Sequence, residues 1–161
     1  MKRLEILTVG LVIGIAGVIS VVAIMNARSH ARDVARLAHM REMQIGLELY
    51  FNQNGAYPAV QGVIPLGQPT TACLSEDGFT APCATGSVQA PYVEFVPAPP
   101  AQGLSGKSSC GGLKNAYCYQ TDGSTFRVTF ELEAGNTLAG LKKGANCASE
   151  SGFRAGACPA Y

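Results

Sequence analysis

The stretch MKRLEILTVGLVIGIAGVISVVAIM, residues 1–25, runs without a break into NARSHARDVARLAHMREMQIGLELYFNQNGAYP, residues 26–58. Residues 4–25 carry a single charge, Glu5, and at ~1.5 Å per residue a helix of that length crosses the ~30 Å hydrocarbon core of a bilayer. A cleaved secretory signal is the competing reading, because Lys2 and Arg3 look like its basic opening. The apolar run exceeds the roughly 7–15 residues of such a signal, and Met25-Asn26-Ala27 is a poor cleavage site, so a retained anchor is expected.

The helical pattern continues past the apolar run. Gly46 is the only strong helix breaker up to Phe51, and no proline occurs before Pro58. Val34, Ala38, Ile45 and Leu49 recur at helical spacing, with Leu37, Met40, Leu47 and Phe51 as a neighbouring stripe. Arg32, Asp33, Arg36, Arg41, Glu42 and Glu48 leave the remaining surface polar. Asn52-Gln53-Asn54-Gly55 followed by Tyr57-Pro58 signals the stop. The expectation is one helix over residues 4–51, ~70 Å long. Its outer half should pack on the rest of the chain through Val34, Leu37, Ile45, Leu49, Tyr50 and Phe51.

Residues 58–161 differ in composition: they are rich in Gly, Pro, Ser, Thr and Ala, and thin in large aliphatics. A core of that kind needs cross-links. All six cysteines, Cys73, Cys83, Cys110, Cys118, Cys147 and Cys158, lie in this part, which reads as a disulfide framework in an oxidising compartment. The absence of any CxxC pair argues against a metal site. Spacing does not decide the pairing; joining each cysteine to its nearest neighbour in sequence is the simplest of fifteen arrangements. The charges flanking the apolar run are nearly balanced, Lys2 and Arg3 against Arg28, Arg32 and Arg36. The cysteines therefore set the expected orientation, N-terminus inside and the bulk of the chain outside.

Within this part, Phe126, Val128, Phe130 and Leu132 alternate as one face of a strand. Residues 115–120 alternate more weakly, and the Asp122-Gly123 turn joins the two into a hairpin. Residues 92–96 read as a short strand or a lone packing segment, and residues 136–161 as a tail wrapping the sheet. An antiparallel sheet covered by the outer half of the helix gives an α+β fold. The segments are then 1–25, the membrane half of the helix; 26–57, its amphipathic half and end; and 58–161, a disulfide-stabilised extracytoplasmic β-rich domain.

The first 58 residues resemble type IV pilins and the pseudopilins of type II secretion. That family carries a glutamate at the fifth mature position and a glycine at the fourteenth, matched here by Glu5 and Gly14. Its helix closes on L-x-x-Y-x-x-x-x-G-x-Y-P, present as Leu47, Tyr50, Gly55, Tyr57 and Pro58. The resemblance implies a pilin-like fold and a structural subunit of a pilus or pseudopilus, with Glu5 neutralising the amino terminus of a neighbouring copy. The implied partners are copies of itself and other pilin-like subunits, an inner-membrane assembly platform, membrane lipid and a prepilin peptidase that precedes N-methylation. Gly10, Gly14 and Gly17 would allow close helix packing. Two departures stand out. Met1-Lys2-Arg3 occupies the family's mature start, where a Gly-Phe junction is usual, and Val22 replaces a common proline. The first leaves three readings open: a start further upstream, a lost leader, or an unprocessed basic opening. A membrane-tethered binding or adhesion module that does not polymerise is the alternative function.

Chemistry is sparse. No nucleophile arrangement stands out, and His30 and His39 read as ordinary helix residues, so no catalysis, cofactor or metal is expected. Glu76, Asp77 and Asp122 lack the clustered oxygen ligands of a calcium loop. Gly103-x-x-Gly106-Lys107-Ser108 lacks the spacing and setting of a phosphate loop. Lys114, Lys142, Lys143 and Arg154 offer a small basic patch. Residues after 57 nevertheless carry six Lys or Arg against seven Asp or Glu, which argues against nucleic acid.

Overall fold

The computed structural model of the chain describes residues 2–81, 83, 90–100 and 102–161, and of residues 2–6 the backbone alone. One unbroken helix, α1 (Lys2–Asn54), is 53 residues long, ~80 Å by the helical rise. It ends where Gly55 takes φ 73° and its N–H bonds to the Phe51 carbonyl, the left-handed cap a glycine adopts without Cβ strain. The span from residue 7 onward is long and apolar enough to cross a membrane, and its most apolar window, mean hydropathy 2.6, lies wholly outside the packed domain.

The remainder builds strands β1 (Ile64–Pro65), β2 (Cys73–Ser75), β3 (Gly78–Thr80), β4 (Ser109–Cys110), β5 (Leu113–Lys114), β6 (Cys118–Thr121), β7 (Phe126–Leu132), β8 (Gly144–Ser149) and β9 (Gly152–Ala155). A five-stranded antiparallel sheet runs β1-β6-β7-β8-β9, with β2-β3 and β4-β5 as separate two-stranded ribbons. The layout is α+β, a long helix with its outer half on an antiparallel sheet.

The hairpin forms as the sequence indicates. Thr121 pairs with Phe126, and Asp122 Oδ1 accepts the Ser124 and Thr125 N–H groups inside the turn. Phe126, Val128, Phe130 and Leu132 are buried on one face. They meet Leu37, Met40, Met43 and Leu47 of the helix, with Tyr117 and Tyr119 filling the layer between. Segment 92–96 is a packing segment joined to β2 by the Leu74–Val93 bridge. The tail does not merely wrap the sheet: it supplies β8 and β9 before its last residues cross the outer face. Its core-facing positions are Gly144, Asn146 and Ala148, opposite Leu132, Phe130 and Val128, and are too small and mixed to show an alternation, while Cys147 is buried on the other face by its bond to Cys158 in the tail.

The helix presents a different face from the one expected. Leu37 is buried, and Tyr50 and Phe51 pack half-buried against the core, but Val34, Ile45 and Leu49 are exposed at 63%, 63% and 47%. At 100° per residue, Val34, Ala38, Ile45 and Leu49 lie roughly 180° from Met40, Met43 and Leu47, so the two stripes are opposite rather than neighbouring. Only one can meet the sheet. The buried arc also holds Asp33 and Arg36, at 2% and 0% exposure, which the sequence placed on the polar surface.

Gly46 is a seat rather than a weak point. A Cβ there would stand 2.3 Å from Cγ2 of Val93, so the 92–96 segment closes onto bare helix backbone. The disulfides are Cys73–Cys83, Cys110–Cys118 and Cys147–Cys158, with Cα separations of 5.3, 5.8 and 4.9 Å. Glu131 is buried in a cradle of N–H groups from Ser105, Lys107 and Ser108, together with the Ser105 hydroxyl. The Gly106-Lys107-Ser108 stretch thus wraps a carboxylate of its own chain.

Two predictions follow from this packing. Gly46→Leu displaces Val93 and costs about 1–3 kcal/mol by overpacking, read as a lower unfolding midpoint. For Glu131, burial pushes its pKa up, but the bonds from Ser105, Lys107 and Ser108 outweigh burial and leave it below the ordinary glutamate value. Its contribution is therefore full at neutral pH and fades as pH falls through that depressed value. Glu131→Gln should lose on the order of 2 kcal/mol at pH 7 and show a shallower acid limb in pH-dependent unfolding.

Candidate assembly surface

Residues 7–25 stand free of the domain, with large side chains from Leu7 (70% exposed) to Ile24 (52%) open all round the helix. An apolar side chain in water at this density is unfavourable by ~25 cal/mol per Å², so the segment requires lipid or other helices around it. Gly10 and Gly14, one turn apart, open a groove of about 480 Å³ lined also by Leu11, Ile15, Val18 and Ile19. Nothing stands within 4 Å of where a Cβ would sit at Gly10, Gly14 or Gly17. Small residues in such a stripe let a second helix approach closely. The side chain of Glu5 lies outside the described residues.

The exposed surface does not end with the apolar half of the helix. Ala27, Ala31, Val34, Ala38, Ile45 and Leu49 are all exposed on the side of the helix facing away from the sheet. Exposed Arg41 and Glu42 flank this stripe, which continues the apolar span outward along the same helix. The chain therefore displays a long apolar helix surface with one flank occupied by its own domain.

What fixes that flank is an ionic latch. The Asp33 carboxylate accepts the N–H groups of Glu133 (2.8 Å), Ala134 (2.7 Å) and Gly135 (3.0 Å), where the chain leaves β7. Arg36 donates Nη1 to Asp33 at 2.7 Å and Nη2 to the carbonyls of Pro100 and Gln102, both at 2.6 Å. Beside it, Arg32 grips both carboxylate oxygens of Glu133 at 2.8 and 2.6 Å, and that hydrogen-bonded pair holds the Glu133 carboxyl below its usual range. The sequence carried one signal for this, the i,i+3 spacing of Asp33 and Arg36 on a helix.

The outer end of the helix is fixed by its closing motif. Leu47 is fully buried, and Tyr57 packs its ring between Phe51 and Phe126 while its hydroxyl donates to Glu48 at 2.9 Å. Burial and the bond to Glu48 push the Tyr57 pKa up. His39 sits 3.0 Å from the Tyr117 hydroxyl, and burial lowers its pKa, which favours the neutral ring. His30, Glu76 and Asp77 are exposed, as are Lys114, Lys142, Lys143 and Arg154. Among the described residues, no cluster of three His, Cys, Asp or Glu side chains could hold a metal ion.

Comparison with protein-family models, with curated proteins and with solved structures returns no significant match to this chain.

Asp33→Ala leaves the buried Arg36 guanidinium without its counter-ion and three N–H groups without an acceptor. The expected loss is about 3–5 kcal/mol, the scale for breaking a buried pair from one side. Thermal unfolding of the detergent-solubilised chain measures it, and early proteolysis between the helix and the 97–105 segment reports the released latch.

Proposed function

We propose that the chain is a pilin-like structural subunit of a pilus or type II secretion pseudopilus, held in the inner membrane with its N-terminus inside and polymerising through α1. One observation carries the reading: a helix of 53 residues is apolar all round in its first half and keeps an exposed apolar stripe along its second half, opposite its own domain. A single-pass anchor needs only ~20 apolar residues. It has no use for a second, extended apolar face outside the bilayer, whereas a helix packed among copies of itself does. The three disulfides support placing the domain in an oxidising compartment. The resemblance of Glu5, Gly14 and the Leu47-to-Pro58 motif to the pilin and pseudopilin family supports the same reading. On this basis Glu5, costly in lipid, becomes tolerable when a cation on the neighbouring subunit pairs with it.

The test is polymer yield against membrane-resident monomer, in the native host or a reconstituted assembly system. Glu5→Ala and the stripe variant Ile45→Glu should each leave the monomer folded and in the membrane but reduce polymer ten-fold or more, the effect of roughly 1.4 kcal/mol per subunit contact. Absence of polymer from the unaltered chain as well would favour the tethered binding module, and full polymer yield in both variants would overturn assembly through this helix surface.

A further inference from the structure

Loop 134–143 joins β7 to β8 beside the lowest part of the domain. The Asp33 latch holds its first residues, and the Asn136–Leu141 bridge closes it into a tight turn with Leu141 buried beneath. Asn136 Oδ1 accepts the Ala139 N–H, and Thr137 O accepts the Gly140 N–H. At the tip of this braced turn Leu138 is fully exposed. A hollow of about 310 Å³ separates it from His30, Asp33 and Val34 of the helix.

Its height matters. If the apolar run leaves the hydrocarbon at Met25, His30 stands five residues further, ~7 Å out along the helix. The headgroup layer on each side of a bilayer is ~5–7 Å thick. The hollow extends on to Val34, ~14 Å out, so the tip stands at the outer edge of the headgroup layer, and a helix tilt of ~20°, ordinary for a span, brings that flank down into it.

Charge points the same way. Lys142 and Lys143, which follow the turn, and Arg28 on the helix below are exposed. The two carboxylates at this edge, Asp33 and Glu133, are already engaged by Arg36 and Arg32. A rigid apolar tip with cations beside it and the local acids neutralised matches an anionic lipid surface, which takes up apolar side chains at its acyl boundary and attracts lysines from its headgroups.

We propose that loop 134–143 is a second membrane contact, in which Leu138 enters the interface of the outward-facing leaflet while Lys142 and Lys143 meet anionic headgroups, fixing the domain's tilt before assembly. The inference rests on the reading that residues 7–25 span the bilayer. The experiment separates the two.

The chain contains no tryptophan, so single-tryptophan variants of the full chain report one position each. Val12→Trp reports the span. Leu138→Trp reports the tip. Phe95→Trp, 76% exposed on the segment that packs at Gly46, is a distal control ~24 Å further out than His30. Each is reconstituted at high dilution in phosphatidylcholine–phosphatidylglycerol vesicles, with and without lipid brominated high on the acyl chain. The expected result is quenching of Val12→Trp, a blue shift and a roughly two-fold loss of emission for Leu138→Trp, and no change for Phe95→Trp. Added Lys142→Gln and Lys143→Gln, or high salt, should weaken the Leu138→Trp signal. Quenching at position 12 with position 138 as unquenched as position 95 overturns the proposal and leaves the span standing. No quenching at position 12 overturns both. A blue shift at position 138 that grows with protein density, without quenching by lipid, assigns the tip to a second copy and also overturns it.

Discussion

Asp33 takes three backbone N–H groups from the chain leaving β7 and the guanidinium of Arg36, while Arg36 reaches on to two carbonyls of the 97–105 segment. These bonds determine which arc of the helix meets the sheet. Burying two opposite charges gains little by itself, because desolvation offsets most of their attraction. What the pair supplies is register: any other rotation of the helix would leave a buried charge or three unpaired N–H groups, each costing ~1–3 kcal/mol. With that arc fixed, Met40, Met43 and Leu47 face Phe130 and its neighbours, Ile45 and Leu49 have only the outside to face, and Val34 borders the open hollow beside loop 134–143.

The domain that grips the helix is held as much by cross-links as by its core. Each disulfide closes a loop of about ten residues where large apolar side chains are scarce: the β2–β3 ribbon, the β4–β6 junction and the tail over β8. In the chain-entropy account each such loop is worth about 3 kcal/mol. The tail shows the division clearly. Cys147–Cys158 anchors it, after which Arg127 donates to the carbonyls of Pro159 and Ala160 and lies 3.9 Å over the Tyr161 ring.

Local signals were legible in the sequence, and choices made between distant residues were not. The helix end, the Asp122-Gly123 turn and the alternation from Phe126 to Leu132 are written in adjacent residues; the last two appear where they should, and the helix runs three residues past Phe51 before Gly55 caps it. The choice between two helical stripes is not local. Val34, Ile45 and Leu49 are as hydrophobic as the residues that won, and the decision lay with Asp33 and Arg36, whose partners are about 65 to 100 residues away. Glu131 misleads for the same reason, since alternation puts it on the polar face until the 105–108 loop covers it. β8 was hidden because Gly144, Asn146 and Ala148 fill its inward positions and carry almost no pattern. At the candidate surface, the open space beside Gly10, Gly14 and Gly17 follows from their small size alone and needs no partner within the chain.

The misplaced stripe is the more informative outcome. An apolar face that packs on its own domain tells nothing of partners, while one left outside by the packing of that same domain poses a requirement the monomer does not meet. Large apolar patches on a soluble surface mark interaction sites or liabilities. Here the exposed stripe is collinear with the apolar half of one uninterrupted helix, so whatever covers the first half can continue along the second without a change of direction. Lipid can cover residues 7–25 but not Ile45 and Leu49, which lie ~30 Å beyond Met25. A covering element that serves both must itself be long, apolar and helical, and α1 of another copy has those properties.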